Sequence, residues 1–384
     1  MSKRTYVNVQ DQNPLAAIQD LCRNILHSQE IQALLVPKRL EDQGPIMPTL
    51  ITDPSELDQA DPLAPCFPLN AAKLVSRLTR GEVKGCIGAV LRPCEVRAFV
   101  ELVKFHQGSM ESVLIISPDC FGAMSNTSFQ SWLQEQSVAE ITDRFVHTLQ
   151  NSPDNLAQEF GLARACTICE HPRALAADLG IGMAGLDISQ HILVQAHTMR
   201  GEELLTTMGY EECSESQDHE QAIEDLVEQR KAAREEVLQG TRQACQDVNT
   251  LRQYFSGCVN CYNCRVACPV CYCRECVFVT DVFEHSPSQY LGWSQKQGSL
   301  KMPTDMVFFH LTRMAHISLA CVGCGQCSNA CPNNIPVMEI FRSVAQRTQQ
   351  AFDYQPGQDP QELHPLTVFA EQEFEDVVDH LAKA

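Results

Sequence analysis

The stretch CVNCYNCRVACPVCYCREC holds seven cysteines within nineteen positions, Cys258 to Cys276. The first four run Cys258-x2-Cys261-x2-Cys264-x3-Cys268 and precede Pro269; the same spacing returns in Cys321, Cys324, Cys327 and Cys331, ahead of Pro332. This is the ligand run of bacterial-type ferredoxins, in which three thiolates wrap one cubane and the fourth, before the proline, reaches across to the other. Two 4Fe–4S clusters are therefore expected, with crossed ligation holding them close enough for electron transfer. Gly323 and Gly325 would let backbone amides approach the sulfurs. A zinc site takes its ligands as two pairs with a long gap, and a chain of 384 residues buries enough core not to need disulfides. Cys271, Cys273 and Cys276 fall outside the count: they either support a further cluster, with Cys245 as a fourth ligand, or are small buried residues. His310 and His316, on an apolar-striped segment at 303–318 with Pro303 in its first turn, read as structural.

Four more cysteines stand upstream in distinctive settings: Cys94 in RPCEVRA, Cys120 in SPDCFGAM, and Cys166 and Cys169 in ACTICE. Thiols from three loops can converge on a third cluster, yet CxxC in a cytoplasmic chain also marks a redox dithiol, and spacing alone does not choose. Gly180, Gly182 and Gly185 have the form GxGxxG. A Rossmann site is not indicated, because PRALAADL ahead of the motif reads as a helix or turn before only a very short strand; a glycine-rich turn near a phosphate or flavin group fits better. No Ser-His-Asp grouping, P-loop or carboxylate pair points to hydrolysis or phosphoryl transfer. Glu95 and Asp119 are candidates to relay a proton.

The elements that must position these residues form a sequence of units. Residues 1–64 read as an N-terminal helical and extended segment, with a helix in PLAAIQDLCRNILHS and proline-rich turns after it. Residues 65–215 alternate short apolar runs (GCIGAVLRP, VLIISPD, AADLGIGMAGLD) with helix-like stretches (CEVRAFVELVKFHQ and TSFQSWLQEQSVAEITDRFVHTLQ), the pattern of an α/β domain. A charged connecting helix at 216–250 reads as solvated surface, a ferredoxin-like unit follows at 251–345, and an acidic tail with one more helix, PLTVFAEQEFEDVVDHLAKA, closes the chain at 346–384.

A formal charge of −19 argues against nucleic acid, since phosphate binding relies on Lys and Arg. It favours proteins with basic docking patches, or small redox molecules, as partners. No apolar run approaches the roughly 20 residues that span a bilayer, and MSKRTYVNVQDQNP lacks the apolar core of a secretory signal. A cytoplasmic protein that does not span a membrane is expected, though a membrane-attached complex could include it.

Taken in order, RPCEVRAFVELVKF, SPDCFG, ACTICEHPRALAADLGIGMAGLD and CVNCYNCRVACPVCYCREC resemble the beta-subunit family of coenzyme F420-reducing hydrogenases and F420-linked formate dehydrogenases, over about residues 65–340. The formate dehydrogenase beta subunit is the nearer match, because it too continues into two ferredoxin-type runs and a CPVCYCREC extension. The resemblance implies an α/β FAD-binding domain followed by a ferredoxin-like domain with two 4Fe–4S clusters and helical linkers. It also implies a flavin-proximal cluster on Cys94, Cys120, Cys166 and Cys169, a molybdenum- or tungsten-containing catalytic partner, and a flavin that turns single electrons into a hydride for the deazaflavin coenzyme. Arg92, Glu95, Gly180, Gly182 and Gly185, which flank these cysteines and loops, are the candidate FAD contacts. The hydride acceptor stays open between coenzyme F420, NAD(P), a ferredoxin and a partner flavoprotein. Two other readings compete. One is a flavin-free iron–sulfur relay linking two redox proteins in a hydrogenase or heterodisulfide-reductase type of complex; the other is a zinc-stabilised scaffold.

Overall fold

Short apolar runs bounded by turn residues become the strands of one seven-stranded sheet. The computed structural model describes residues 3–28, 30–40, 44–81, 85–213, 217–273, 275–280, 285–298 and 305–368. The strands are β1 (Arg4–Asn8), β2 (Ala33–Arg39), β3 (Ile46–Ile51), β4 (Ile87–Val90), β5 (Val113–Pro118), β6 (Leu179–Gly182) and β7 (His191–Ala196), in the order β1-β7-β6-β5-β4-β2-β3. Strands β2, β4, β5 and β6 run parallel, while β3, β7 and β1 add antiparallel edges. Every residue of β4, β5 and β6 is buried, as continuous apolar strands covered on both faces should be.

Residues 1–64 are not the separate segment that their proline content suggested. They supply β1, β2, β3 and the helix Pro14–His27, and so both edges of the sheet. The prolines hide the strands: Pro37 on β2 lies opposite Pro48 on β3, a register that asks neither for a ladder N–H. The long helix-like stretch after Ser125 divides into Asn126–Trp132 and Val138–Asn151, because Ser137 and Glu140 form a capping box that starts the second helix afresh.

One face of the sheet carries the helices Pro14–His27 and Met199–Thr207 over a core that includes Ile18, Leu34, Ile116 and Leu205. On the other face the helix Pro93–Lys104 lies between the sheet and the cysteine-rich domain. Its Val96, Phe99 and Leu102 share one apolar cluster with Leu251, Phe255, Met314 and Phe341. The two domains are thus packed through a common core, as closely as the layers of a single domain. Residues 352–357 fold back over the same helix, where the buried Glu101 accepts hydrogen bonds from Tyr354 Oη (2.6 Å) and the Gly357 amide (2.8 Å). Of the helix expected at the C-terminus, only the turn Pro365–Thr367 belongs to the described residues; 369–384 and Pro303 lie outside them. Among the described residues no helix is long and apolar enough to cross a membrane.

Asp61 anchors the helix Val138–Asn151 to the β2 edge: its amide donates to the Pro37 carbonyl (2.7 Å), and its carboxylate accepts from Thr142 Oγ1 (2.8 Å). Burial raises this carboxyl to about 6, against the opposing pull of Thr142 and Arg39. The native state then keeps a proton that the unfolded chain has released, so this group's effect on stability is most favourable below about pH 4 and worsens as pH rises to about 6. Asp61→Asn keeps an acceptor for Thr142. It is expected to flatten that slope and to stabilise the protein by roughly 1–3 kcal/mol at pH 8, which thermal unfolding of both proteins across that range would measure.

Candidate functional site

The two cysteine runs are crossed. Cys258, Cys261, Cys264 and Cys331 line one cavity, so the fourth cysteine of the second run joins the first three of the first. Conversely, the first run's Cys268 is the strongest charged neighbour of each of Cys321, Cys324 and Cys327. None of the 20 cysteines is in a disulfide, and among the described residues no three His, Cys, Asp or Glu side chains close around a single ion. Thiols standing around a cavity suit a polynuclear cluster better than a zinc ion.

The runs repeat in backbone as well as in spacing. Asn260 and Gly323, two residues after the first cysteine of each run, are both left-handed (φ 52° and 71°), as are Tyr262 and Gly325 (59° and 78°). The Gly323 amide donates to the Cys321 sulfur and the Gln326 amide to Cys324, the amide approach expected of this loop. Since Tyr262 tolerates the conformation, torsion alone does not demand glycine at 325. A Cβ there would lie 2.3 Å from the Cβ of Ala165, beside Cys166. Gly325 is therefore what lets the second run dock on the α/β domain, assisted by Gln326 Nε2 donating to the Phe67 carbonyl (2.9 Å).

At that junction Cys94, Cys120, Cys166 and Cys169 come together. They line one cavity, which Gly323 and Cys324 of the second run also wall. Cys94 sits in the first turn of the helix Pro93–Lys104, Cys120 follows β5, and Cys166 lies in a short helical turn, Arg164–Thr167. Burial pushes the Cys166 thiol up to about 12 and raises those of Cys94 and Cys120. Holding them as thiolates requires positive charge nearby. Arg92 supplies some, acting on Cys120, Cys94 and Cys166 while donating to the Ala64 and Cys66 carbonyls. The buried Arg230 donates to the carbonyls of Cys120 (3.2 Å), Cys169 (3.4 Å) and Phe121 (2.9 Å). Arg230 belongs to the helix Gln217–Ala244. That element therefore does more than connect domains: it also brings His219 to Asp119 (2.9 Å) and Arg234 to Glu170 (2.7 Å).

Cys166 and Arg230 also border a neighbouring cavity of about 670 Å³, lined by Phe121, Leu149, Met183, Gly185 and Leu226 among others. Of the candidate flavin contacts, Gly185 lines it; its φ is 68°, and a Cβ would meet the Asp218 carbonyl at 2.5 Å. Gly180 and Gly182 do not form the expected turn. They are strand residues of β6, where the path of a Cβ is taken by His197 and His219. Glu95 is a helix cap, each carboxylate oxygen accepting from a backbone amide, of Ala71 (2.7 Å) or Arg92 (2.8 Å). Asp119 accepts from the amides of Met183 and Ala184 as well as from His219, and so fixes the end of β6.

The helix Asp305–Ile317 brings two residues to the first run that sequence reasoning set aside or passed over. His310 Nε2 lies 3.5 Å from the Cys258 sulfur, its ring stacked on Phe255 at 3.8 Å, and Arg313 Nη1 lies 3.2 Å from the Cys264 sulfur. Their i, i+3 spacing on a helix between the runs was the available signal. Cys271 has Cys268, Arg313, Lys73 and Arg265 as its charged neighbours, and Cys276 packs with Cys264 and Phe309; Cys245 is not among the neighbours of either. His316 makes no contact with a cysteine sulfur in the structure, its carbonyl accepting from Tyr272 Oη (3.4 Å). Gly325→Ala is expected to cost roughly 1–3 kcal/mol by overpacking the junction. In denaturant unfolding the double variant Gly325→Ala/Ala165→Gly should recover the part of that loss due to the clash, leaving the left-handed strain, whereas Gly325→Asn, which suits the torsion but not the space, should not.

Residues 85–222 match the family described as the C terminus of the coenzyme F420 hydrogenase/dehydrogenase beta subunit, and residues 254–335 match the 4Fe-4S dicluster domain. The F420-dependent formate dehydrogenase subunit beta of Methanocaldococcus jannaschii is 26% identical over 371 residues, covering 91% of this chain and 93% of that protein. The F420-dependent formate dehydrogenase 1 subunit beta of Methanococcus maripaludis is 24% identical over 367 residues, 89% and 90% of the two chains. A chain of the F420-reducing [NiFe] hydrogenase complex from Methanosarcina barkeri superposes with a TM-score of 0.44 at 13% identity, over 64% of this chain and 94% of that one. Both matched segments fall on the cysteine motifs in the same order: a segment similar to the C terminus of the coenzyme F420 hydrogenase/dehydrogenase beta subunit, with a 4Fe-4S dicluster domain behind it.

Proposed function

We propose that this chain is the electron-transfer beta subunit of a formate-dehydrogenase-type oxidoreductase, carrying electrons between a catalytic partner subunit and a hydride acceptor by way of three 4Fe–4S clusters and an FAD. The observation that carries this reading is the shared wall: Cys324 of the dicluster domain lines the same cavity as Cys94, Cys120, Cys166 and Cys169. Cys166 in turn borders the cavity of about 670 Å³. Four sites then stand in series: Cys258/Cys261/Cys264/Cys331, Cys268/Cys321/Cys324/Cys327, Cys94/Cys120/Cys166/Cys169, and the cavity beside Gly185.

When bound, the cubanes supply one-electron carriage and the flavin collects electrons in pairs for release as hydride. The chain's own residues provide the setting for that chemistry. Phe121, Leu149 and Met183 give part of the cavity an apolar wall, and its volume is in the range of cofactor sites. Arg230 ties the Cys120 and Cys169 loops to one helix and places a fixed positive charge between the cysteines and the cavity. Gly185 allows the β6 turn to close on the N-terminus of the helix Gln217–Ala244. The acceptor is coenzyme F420, which both formate dehydrogenase relatives carry in their names.

Anaerobic purification followed by analysis of iron, sulfide and flavin is expected to find about twelve irons and one FAD per chain, four irons to each cubane. Cys166→Ser should lower the count by about four while the dicluster domain keeps its own. Offering deazaflavin and NAD(P) in turn then identifies the acceptor. A fully loaded chain with about eight irons and no flavin would reduce the protein to a relay between two redox partners.

A further inference from the structure

The helix Asp305–Ile317 is inserted between the two cysteine runs and supplies no thiol, yet it aims two nitrogen groups at sulfurs of the first. Arg313 is 3% exposed and, among the described residues, has no carboxylate partner. Its Nη1 reaches the Cys264 sulfur (3.2 Å), its Nη2 donates to the Cys264 carbonyl (3.1 Å), and its Nε has no hydrogen-bond partner. Phe309 and Phe341 cover the guanidinium at 5.4 and 4.7 Å. A buried cation without a counter-ion is costly. Here the charges that act on it are those of Cys264 in the first site, of Cys268 and Cys327 in the second, and of Cys271 beside them; with Cys327 packed against the cluster of Cys264 and Phe309, it stands between the two crossed sets. His310, three residues earlier on the same helix face, puts Nε2 at 3.5 Å from the Cys258 sulfur, while its Nδ1 has no partner. The ring proton therefore belongs on Nε2, where an acceptor waits.

We propose that Arg313, with His310 one turn before it, sets the reduction potentials of the two dicluster sites, so that both can hold an electron at once. This rests on the reading that both runs carry cubanes. A reduced cubane is more negative than an oxidised one, and hydrogen bonds and positive charge at its sulfurs favour the reduced form. Two neighbouring reduced cubanes also repel each other, and a guanidinium held between them in a dry site offsets that repulsion where screening by water is absent. Delivery of electron pairs for hydride formation benefits from a wire that can be doubly loaded. The insert helix thus acts on potentials without ligating iron.

The test is a redox titration of the full chain followed by EPR, with iron and sulfide measured on each sample. In fully loaded Arg313→Gln, the reduced-to-oxidised ratio of the first-run cubane at a fixed potential is expected to fall at least tenfold, which is about 59 mV for a one-electron couple. The second cubane should move less in the same direction. Arg313→Lys, which keeps the charge but not the fork, should recover most of the shift. His310→Phe, which keeps the stacking on Phe255, should lower the ratio by about threefold. A loaded Arg313→Gln whose ratios stay within twofold of the parent overturns the proposal. If that variant fails to hold its iron, His310→Phe decides: a lowered ratio supports the proposal and an unmoved one overturns it. A parent protein without two cubane signals would instead remove the reading beneath it.

Discussion

Thiol sulfur must be ionised to hold iron, and burial opposes ionisation; positive charge inside the protein resolves that conflict, and much of the structure follows from where it is placed. The chain is strongly acidic, with 48 Asp and Glu against 29 Lys and Arg, yet Arg97, Arg230, Arg313 and Arg342 are all buried. Each stands at the cysteine sites or at the seam beside them. Arg97 bridges the Val322 carbonyl of the second run and the Pro356 carbonyl of the fold-back strap. Arg342 meets Glu170, the residue after Cys169, and Arg234 meets the same carboxylate from another helix. The acidic surplus is thereby left to the outside, where it can serve recognition by basic partners.

The second organising feature is that the dicluster domain shares its main apolar core with the sheet, beside a small cluster of its own around Cys264, Phe278 and Phe309. Phe255 and Phe341 pack in the same cluster as Val96 and Phe99 of the helix Pro93–Lys104, which also carries Cys94 in its first turn. A domain docked through a linker would let the separation between redox sites fluctuate. Here the spacing between Cys324 and Cys94 is set by side-chain packing. A tight approach, Gly325 against Ala165, adjoins the wall between the second and third sites, where Ala165 and Cys324 line the cavity.

Several features could be read along the chain because they are local. The ferredoxin-type spacing is one, and the alternation of apolar runs with helices after residue 65 is another. The N-terminal strands were not legible, since Pro37 and Pro48 argue against strand unless their mutual pairing is known. The glycine motif misled in the opposite sense. Gly180 and Gly182 look like a binding loop but are small because His197 and His219 pack over β6, and only Gly185 reaches a cavity. Glu95 resembled a proton relay in sequence and is a cap in space, a role its position three residues after Arg92 allows. The charged helix Gln217–Ala244 read as solvated because its periodicity reports where apolar residues fall, and carries no information on whether an arginine such as Arg230 faces three buried carbonyls.

The sequence by itself determined the chemistry of the two runs, because three thiols two residues apart meet one cubane through backbone geometry confined to a dozen residues. It also carried the resemblance to the F420 hydrogenase/dehydrogenase beta subunits, through the order of motifs along the chain. Only the tertiary structure decided that Cys94, Cys120, Cys166 and Cys169 face one cavity, that Cys324 shares its wall, and that Arg313 stands between the crossed sets. Those relations join residues separated by tens to hundreds of positions. They are fixed by the strand order and by packing across the seam, and no local spacing encodes either.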